Sequence, residues 1–316
     1  MRNSVSWDCS CIIGFGNHAK SKILPALENV GIKIGGIVSS KDQLMLPGVE
    51  IFTNVADAIK FLPTNTLFII SSPPKIHFSQ AKELVQAGKD IFIEKPAFIS
   101  SDDLAEINKL ACKSGSLVVE MLMYLENKSV KKIINFLKEE HHQIKAIKMK
   151  FFIPSIPEGT FRIESDLGSS LLSDMGCYPL SILKVAGHKL ADLNLDLNKK
   201  NLNENISFHI LGHSKKILID IKIGISDSYQ NSLSIILKNK DNVFCEPFFY
   251  GRKGERKYVV TKHDEIDELK IFEEDAFELM FSKNKSYWVQ NQKERITQMM
   301  NVVKNLERLG QQAQLY

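Results

Sequence analysis

Residues 67–96 read LFIISSPPKIHFSQAKELVQAGKDIFIEKP and contain one complete strand–helix–strand unit. Two short apolar runs, Leu67–Ser71 and Ile91–Glu94, predict buried strands because turn residues bound each of them. The helix predicted between them covers Pro74–Ala87, with Ser72 as its cap and Gly88 at its end. Two successive strands joined through a helix are typical of a parallel sheet.

The same alternation continues on both sides of this unit. Further elements are predicted as strands over Cys9–Gly14, Ile32–Val38 and Leu117–Glu120, and as a helix over Ser100–Cys112. Ser100 and Asp103 have the spacing of a capping box, and Gly115 lies just beyond the end of that helix. Repeated strand–helix units favour one parallel-sheet domain over residues 1–121.

The hydrophobic period changes after an amphipathic helix predicted over about Asn127–Glu140. From Ile147 to Ile153 apolar residues recur at every second position, as in a half-buried strand. Further strands are predicted over Leu193–Leu197, Ile206–Leu211, Ile217–Ile223, Leu233–Leu237, Val243–Phe249 and Tyr258–Lys262. Their close succession predicts antiparallel pairing, and helices are predicted over Gly168–Val185 and Gln290–Arg308. We therefore expect a second domain of helices and strands over residues 122–316.

The composition excludes several classes of protein. The chain has 316 residues, 44% of them hydrophobic and 25% charged, which is typical of a folded protein rather than a fibrous or disordered one. Its net charge is only +4 and basic residues alternate with acidic ones, so no nucleic-acid partner is expected. No apolar run approaches the roughly 18 residues of a membrane span, and Met1–Asp8 lacks the order of a signal peptide. We expect a cytoplasmic protein without membrane contact.

The cysteines predict neither disulfides nor a metal centre. There are five of them, an odd number, with no C-x-x-C pair and no clustered histidines. Cys9 and Cys11 are expected to lie buried on a strand, where a thiol behaves as a small apolar group.

A glycine-rich turn, GFGNHA at residues 14–19, follows the first predicted strand and opens a helix. Gly14 would allow the tight turn, and Gly16 would let the backbone approach a pyrophosphate at the helix N-terminus. Ala19 replaces the third glycine of the G-x-G-x-x-G pattern. The predicted cofactor contacts in this turn are Gly14, Phe15, Gly16, Asn17 and His18. A plain strand-to-helix turn would also use glycine, and His18 taken alone is more often a capping or surface residue.

Ser39, Ser40 and Lys41 follow the second predicted strand, where a dinucleotide site reads the adenosine ribose. A carboxylate there would accept from the 2′-hydroxyl of NAD, whereas hydroxyls and a cation suit the 2′-phosphate of NADP. The sequence therefore favours NADP(H). NAD(H) stays possible, because Asp42 is one residue further on and a shifted strand would make it the ribose acceptor.

Two further motif regions stand out in the sequence. The first comprises residues 67–77 and 87–96, which end in Glu94-Lys95-Pro96. The second is GSSLLSDMGCYP at residues 168–179, with the pattern Asp-x-Gly-x-Tyr. Both regions resemble the glucose–fructose oxidoreductase, inositol dehydrogenase and rhizopine-catabolism (Gfo/Idh/MocA) family. With the glycine turn, the resemblance covers the first 120 residues and about Phe161–Leu180.

The resemblance implies a fold that combines α/β and α+β architecture. The N-terminal domain would be a Rossmann domain, a doubly wound parallel sheet, and the second would be built on an open, mostly antiparallel sheet that commonly serves as an oligomer interface. It also implies an NAD(P)-dependent oxidoreductase that transfers hydride between nicotinamide and a small molecule such as a sugar, inositol or nucleotide sugar. A homodimer or homotetramer is expected.

The same resemblance implies catalytic roles for Lys95, Asp174 and Tyr178. Lys95 is similar to the family's catalytic lysine, Asp174 to its motif aspartate, and Tyr178 to a position often filled by His or Tyr. Hydride transfer at a carbinol or carbonyl carbon also moves a hydroxyl proton, so an acid or base beside the nicotinamide is required. Partial burial would lower the pKa of Lys95 toward neutrality. Tyr178 offers a second proton relay, and Asp174 could orient either group.

Further binding residues follow from the same motifs. The expected cofactor contacts beyond the glycine turn are Ser71, Ser72, Pro73, His77, Glu94, Lys95 and Pro96. The expected substrate contacts are Lys95, Glu120, Arg162, Asp174 and Tyr178. A structural helix-end role suits His77 at least as well, and a surface role for Arg162 is equally open. The Lys95–Pro96 bond could be cis, as in relatives.

The chain departs from the family pattern at two places, and two other functions stay open. The glycine-rich turn before the second motif is reduced to Gly168-Ser169-Ser170, and Tyr124–Asn127 lacks the Arg and Pro that relatives carry there. One alternative is an imine or conjugated-bond reductase of the same fold. The other is a regulatory protein that senses dinucleotide without turnover, although the retained proton-transfer residues argue against it.

Overall fold

The computed structural model describes residues 7–39, 46–154, 171–196, 207–263 and 265–314. They belong to two compact units. The first unit contains the described residues up to Leu122 together with Phe277–Met300, and the second contains the described residues of 123–276 and those from Asn301 onward.

The first unit is built on a parallel sheet. Among the described residues, six strands pair in the order β3-β2-β1-β4-β5-β6, all in parallel register. They are β1 (Cys9–Ile13), β2 (Ile34–Val38), β3 (Glu50–Phe52), β4 (Thr66–Ile70), β5 (Asp90–Glu94) and β6 (Val118–Met121). The chain order reverses between β1 and β4, and ligands of doubly wound sheets bind at this switch point, beyond the carboxyl ends of the strands. The predicted parallel Rossmann-type sheet is confirmed.

Four helices in the described part of the chain up to Leu122 connect these strands. They are α1 (Leu24–Asn29), α2 (Val55–Phe61), α3 (His77–Gln86) and α4 (Ser101–Ser114). α4 begins where Ser100 Oγ accepts from the amides of Asp102 (3.2 Å) and Asp103 (3.3 Å) and ends at left-handed Gly115, as the capping pattern predicted. A π-helical turn, Ala19–Ile23, leads into α1. Pro25 lacks the N–H that a regular α-helix would need there.

The second unit is built on a larger, mostly antiparallel sheet. In its described residues, eight strands pair in the order β14-β13-β12-β11-β7-β10-β9-β8, and only the β7–β10 pair is parallel. They are β7 (Ile144–Ile153), β8 (Leu193–Leu195), β9 (Ser207–Ser214), β10 (Ile217–Ile225), β11 (Gln230–Leu237), β12 (Asn242–Glu246), β13 (Gly254–Lys262) and β14 (Glu265–Glu273). Helices α5 (Lys128–Glu139) and α6 (Leu171–Val185) belong to the same unit. The predicted open, mostly antiparallel sheet is confirmed.

Two final helices, α7 (Ala276–Phe281) and α8 (Lys285–Gln314), end the described chain. The sequence predicted the last helix over 290–308 within a second domain, but the structure starts it at Lys285 and groups Phe277–Met300 with the first unit. The reason is a set of contacts across the sequence: the ring centroids of Phe281 and Trp288 lie 6.0 and 5.2 Å from that of Phe92 on β5. A change of hydrophobic period cannot reveal such contacts.

No helix within the described ranges is both long and apolar enough to cross a membrane. The five cysteines all lie within those ranges and are free, and both Cys9 and Cys11 are buried on β1, as predicted.

Candidate functional site

The glycine turn after β1 lies directly against the end of β4. Gly14 has φ +83°, and a Cβ atom there would lie 2.6 Å from the amide nitrogen of Ser72. The amide of Gly14 donates to the carbonyl of Val38 at 3.0 Å, and the amide of Ser71 donates to that of Ile13 at 2.7 Å. Only glycine fits this position without displacing backbone.

Gly16 lies on the open side of the same turn. No atom of the described residues lies within 4 Å of the position that a Cβ on Gly16 would occupy. Gly16, Asn17 and His18 are exposed, whereas Phe15 is buried. Space above a glycine at the strand-to-helix turn is what a pyrophosphate needs to reach the backbone. The residues present therefore fit a dinucleotide.

His18 and Glu94 join the glycine turn to the end of β5. The Nε2 atom of His18 lies 2.8 Å from Oε1 of Glu94, and the pair is an ion pair when His18 is protonated. The carboxylate is largely buried while the imidazole is half exposed. Two predicted cofactor residues, one after β1 and one at the end of β5, are thus brought together at the carboxyl-end edge of the sheet.

Ser72 and His77 connect the β4 end to the segment after β5. His77 is buried, its Nε2 lies 2.8 Å from the carbonyl oxygen of Ser72, and its Nδ1 lies 3.2 and 3.1 Å from those of Pro96 and Ala97. Burial lowers the pKa of His77 despite these carbonyls. A neutral imidazole has one N–H, so it donates to one of these two sides at a time.

Other predicted residues near β4 are half-buried. Ser71 and Pro73 flank Ser72, and the hydroxyl of Ser72 donates to Oε1 of Gln80 at 2.6 Å. Pro73 immediately precedes a 3₁₀ turn, Pro74–Ile76, that leads into α3.

Glu94, Lys95 and Pro96 leave the end of β5 together. The Lys95–Pro96 bond is cis, and Lys95 is half-buried. The amide of Lys95 donates to Oε2 of its neighbour Glu94 at 3.2 Å.

Glu120 lies beside this segment, on β6. Its Oε1 accepts a hydrogen bond from the amide of Ala97 at 3.0 Å, and its side chain is buried. Burial raises the pKa of Glu120 to about 7, while the Ala97 amide and the charge of Lys95 act in the opposite direction and that of Glu94 adds to the increase. The sequence placed Glu120 correctly at the end of a strand, but gave no sign of its bond to Ala97.

Several predicted site residues fall outside the described residues or show only local contacts. Ser39 directly follows β2, and its amide donates to the carbonyl of Phe52 at 2.9 Å. Outside the described ranges lie Ser40, Lys41, Arg162, Gly168, Ser169 and Ser170.

Asp174 and Tyr178 lie on α6 in the second unit, one helical turn apart, and both are buried. The carbonyl oxygen of Tyr178 accepts from the hydroxyls of Tyr124 and Ser181, both at 2.8 Å. A Cβ on Gly176 between them would lie 2.8 Å from Cδ2 of Leu306 on α8. Close helix packing is therefore a structural reason for the glycine of the Asp-x-Gly-x-Tyr motif.

An aromatic cluster surrounds Tyr178 within the second unit. The ring centroids of Phe151, Tyr124 and Phe249 lie 5.1, 5.5 and 5.8 Å from that of Tyr178. Buried Asn231 fixes the chain at Phe249, because its Oδ1 accepts from that amide at 2.6 Å and its Nδ2 donates to that carbonyl at 2.9 Å. Nothing in the sequence marks Asn231, because it belongs to no motif and precedes the strand predicted over Leu233–Leu237.

Comparison with known proteins gives a family match for the first unit. The model of the Gfo/Idh/MocA family, described as an oxidoreductase family with an NAD-binding Rossmann fold, matches residues 10–122. Among curated relatives, the dTDP-3,4-didehydro-2,6-dideoxy-alpha-D-glucose 3-reductase of Actinomadura kijaniata is 28% identical over 109 residues, 34% of this chain and 33% of that protein. The Streptomyces antibioticus enzyme of the same name is 22% identical over 167 residues, 52% of this chain and 51% of that protein. The matches therefore span a third to a half of these relatives.

Solved structures share the fold over nearly the whole chain. A 3-ketoreductase from Actinomadura kijaniata, in complex with NADP and TDP-benzene, has a TM-score of 0.79 at 16% identity, covering 96% of this chain and 97% of that one. An aldose-aldose oxidoreductase from Caulobacter crescentus, complexed with glycerol, has a TM-score of 0.78 at 12% identity, covering 97% and 98%. At these identities the likeness shows the fold alone.

Proposed function

Because residues 10–122 match the model of the Gfo/Idh/MocA oxidoreductase family, we propose that the protein is an NAD(P)-dependent oxidoreductase. The single observation that carries the proposal is the glycine turn, where Gly14 fits against Ser72 and the Cβ position of Gly16 faces open space. NADP(H) is the preferred cofactor, with NAD(H) as the alternative. The hydroxyl of Ser39 and the adjoining Ser40 and Lys41 support this preference by their chemistry.

The proposed substrate is a polar molecule with a carbonyl or carbinol group: a sugar, an inositol or a nucleotide sugar. Relatives of the first unit include 3-reductases of a dTDP-linked keto sugar, and a solved neighbour is a 3-ketoreductase with NADP and TDP-benzene bound. A dTDP-linked 3-keto sugar is therefore the first substrate to test. No contact among the described residues favours the alternative function, an imine or conjugated-bond reductase.

In the proposed reaction the cofactor would transfer the hydride and the protein would transfer the proton. Bound nicotinamide would supply or accept the hydride. The Lys95 ammonium would donate a proton to the carbonyl oxygen during reduction, and the neutral Lys95 amine would remove the hydroxyl proton during oxidation. Glu94 and His18 would border the cofactor, while Asp174 and Tyr178 are proposed as proton-transfer and orienting groups on α6. Arg162 stays a proposed substrate contact.

Two measurements test the proposal in sequence. Fluorescence titration with NADPH and with NADH should give tighter binding of NADPH. In Lys95→Met, cofactor affinity should stay within a few-fold of wild type, whereas turnover of the keto sugar should fall by about 10² or more, the usual contribution of a proton-transfer group. Full turnover in a folded, cofactor-binding variant would remove Lys95 from the mechanism. Binding of neither dinucleotide, with copurified cofactor excluded, would contradict the oxidoreductase assignment.

We also propose that the protein forms a homodimer or homotetramer in the cytoplasm. The second unit's sheet supports this, because β10 alternates buried with half-exposed residues and Leu211 on β9 is exposed. Light scattering should give a multiple of the 35.8 kDa chain mass, and a monomer mass at high concentration would contradict assembly. Cell fractionation tests the location.

A further inference from the structure

The backbone directly after Lys95 is held from two sides by buried polar side chains. On one side, Glu120 Oε1 accepts from the amide of Ala97 at 3.0 Å. On the other side, Nδ1 of His77 lies 3.2 and 3.1 Å from the carbonyl oxygens of Pro96 and Ala97. The two residues that hold this backbone, Glu120 on β6 and His77 in the first turn of α3, are 43 positions apart in the sequence.

The carboxyl group of Glu120 is buried and interacts electrostatically with Lys95. In the β5–β6 ladder Glu120 is paired with Ile93, two residues before Lys95. The groups that act on its charge are Lys95, which stabilises the carboxylate, and Glu94, which destabilises it. Burial is the largest influence and raises the pKa of Glu120 to about 7.

We propose that Glu120 is a positioning residue for Lys95. Its carboxyl group anchors the chain at Ala97, and its negative charge stabilises the ammonium form of Lys95. The inference rests on the proposed function only in giving Lys95 a role in proton transfer. It also replaces the expected contact between Glu120 and substrate with an indirect role, because the carboxyl group is buried and already bonded to the backbone.

The electrostatic interaction is reciprocal, which fixes the direction of the expected effect. An attraction that stabilises the Glu120 carboxylate stabilises the Lys95 ammonium by the same amount. Removing the negative charge should therefore let Lys95 lose its proton at lower pH. Reduction needs a protonated Lys95. In the same variant, the loss of reductive activity on raising the pH should therefore begin at a lower pH than in wild type.

Glu120→Gln tests the charge alone, because glutamine keeps an oxygen that can accept from the Ala97 amide. The measurement is the pH dependence of Lys95 acylation by acetic anhydride, followed by mass spectrometry of the Lys95 peptide in cofactor-free protein. Acetic anhydride is chosen because it is a small reagent and Lys95 is only half-buried. The midpoint of the labelling curve should move down by about one pH unit, the usual effect of one nearby opposite charge.

Asp90→Asn is the matched control. Asp90 is another buried carboxylate of the same sheet, at the start of β5, where it accepts from Trp7 Nε1 at 2.8 Å and the Leu117 amide at 2.9 Å. Its loss should reduce stability without moving the labelling midpoint of Lys95. A second variant, Glu120→Asp, keeps the charge and should keep the wild-type midpoint.

The outcomes separate this inference from the proposed function. An unchanged midpoint in folded Glu120→Gln overturns the inference, as does an equal downward shift in Glu120→Asp or Asp90→Asn. Because labelling needs no substrate, the shift is measurable even if wild-type protein turns over no keto sugar. In that case the proposed function fails while the coupling of Glu120 to Lys95 stands. Where turnover is found, the basic limb of the reductive kcat/KM profile should move in the same direction.

Discussion

Gly14 and Gly16 have different physical roles, although the sequence motif treats them alike. Gly14 is held at φ +83° against the backbone of Ser72, whereas Gly16 borders open space. In Gly14→Ala the methyl group would displace backbone, so the free energy of unfolding should fall by about 1–3 kcal/mol and NADPH binding should be lost. Urea denaturation and fluorescence titration measure these two effects.

Gly16→Ala is the matched comparison at the same turn. Its methyl group meets no described atom, so stability should stay within about 0.5 kcal/mol of wild type. NADPH affinity should nevertheless fall, because the methyl group occupies the space that the pyrophosphate needs. Unchanged affinity in Gly16→Ala would place the pyrophosphate elsewhere and would remove the main support for the dinucleotide site.

The raised pKa of Glu120 predicts a pH dependence of stability. Its pKa is about 7 in the folded protein against an ordinary value of 4.5, so between these values the folded state binds more protons than the unfolded state. The free energy of unfolding should therefore fall as the pH rises from about 4.5 to 7, by at most about 3 kcal/mol, and then level off. Urea denaturation of wild type and Glu120→Gln at pH 5 and pH 8 measures this contribution as a difference. The free energy of unfolding of Glu120→Gln, relative to that of wild type, should be higher at pH 8 than at pH 5. A difference between the two proteins that does not change with pH would contradict the assigned ionisation of Glu120.

At the scale of single elements, local signals predicted those helices and strands whose ends carry specific residues. α4 is the clearest case, since Ser100 and Gly115 define its limits in both sequence and structure. β14 was missed because its exposed apolar residues, Ile266, Leu269 and Phe272, recur every third position and hide the period of a strand. β3 is only three residues long, too short for any period. Local sequence patterns thus predict elements that have capping residues or a buried face, and they fail to predict elements that have neither.

Helix α8 contributes a buried aromatic residue to the first unit. Trp288 is fully buried, its ring lies edge-on to Phe92 at 5.2 Å, and the guanidinium of Arg295 lies 4.6 Å from its ring centroid. Trp288→Ala should destabilise the first unit by about 3–5 kcal/mol, as expected for a cavity of this size. Val289→Ala changes an exposed neighbour on the same helix and should stay within about 0.5 kcal/mol. Hydrogen exchange of β5 amides gives the stability of this unit directly, and equal protection in both variants would show that Trp288 does not support the sheet.

At the scale of the whole molecule, the sequence predicted the two sheets but not which residues complete the first unit. The Rossmann-type pattern ends near residue 121, and the family match ends at residue 122. The segment Phe277–Met300 nevertheless belongs to the same compact unit. Its apolar residues are typical of any amphipathic helix, so nothing in them indicates that Phe92, nearly 200 positions earlier, is the partner. Side-chain hydrogen bonds such as that of Glu120 to Ala97 are hidden from sequence analysis for the same reason.

A fragment of residues 1–122 should therefore be an incomplete folding unit, even though it contains the whole parallel sheet. The missing segment Phe277–Met300 buries six large apolar side chains: Phe277, Met280, Phe281, Trp288, Ile296 and Met299. Their burial contributes roughly 10 kcal/mol, comparable to the total stability of a typical domain. The segment also supplies Lys285, whose Nζ lies 2.7 Å from the buried carboxylate of Asp90.

We expect the fragment alone to bind a hydrophobic dye, to leave the amides of β5 open to hydrogen exchange and to bind NADPH weakly. A synthetic peptide of residues 277–300 should restore exchange protection and reduce dye binding, because Phe281 and Trp288 would again cover Phe92. The same peptide with Trp288→Ala is the control and should restore much less. The opposite outcome is a fragment whose β5 amides are protected and which binds no dye without any peptide. It would show that the sheet and its first four helices form a stable unit without α7 and α8.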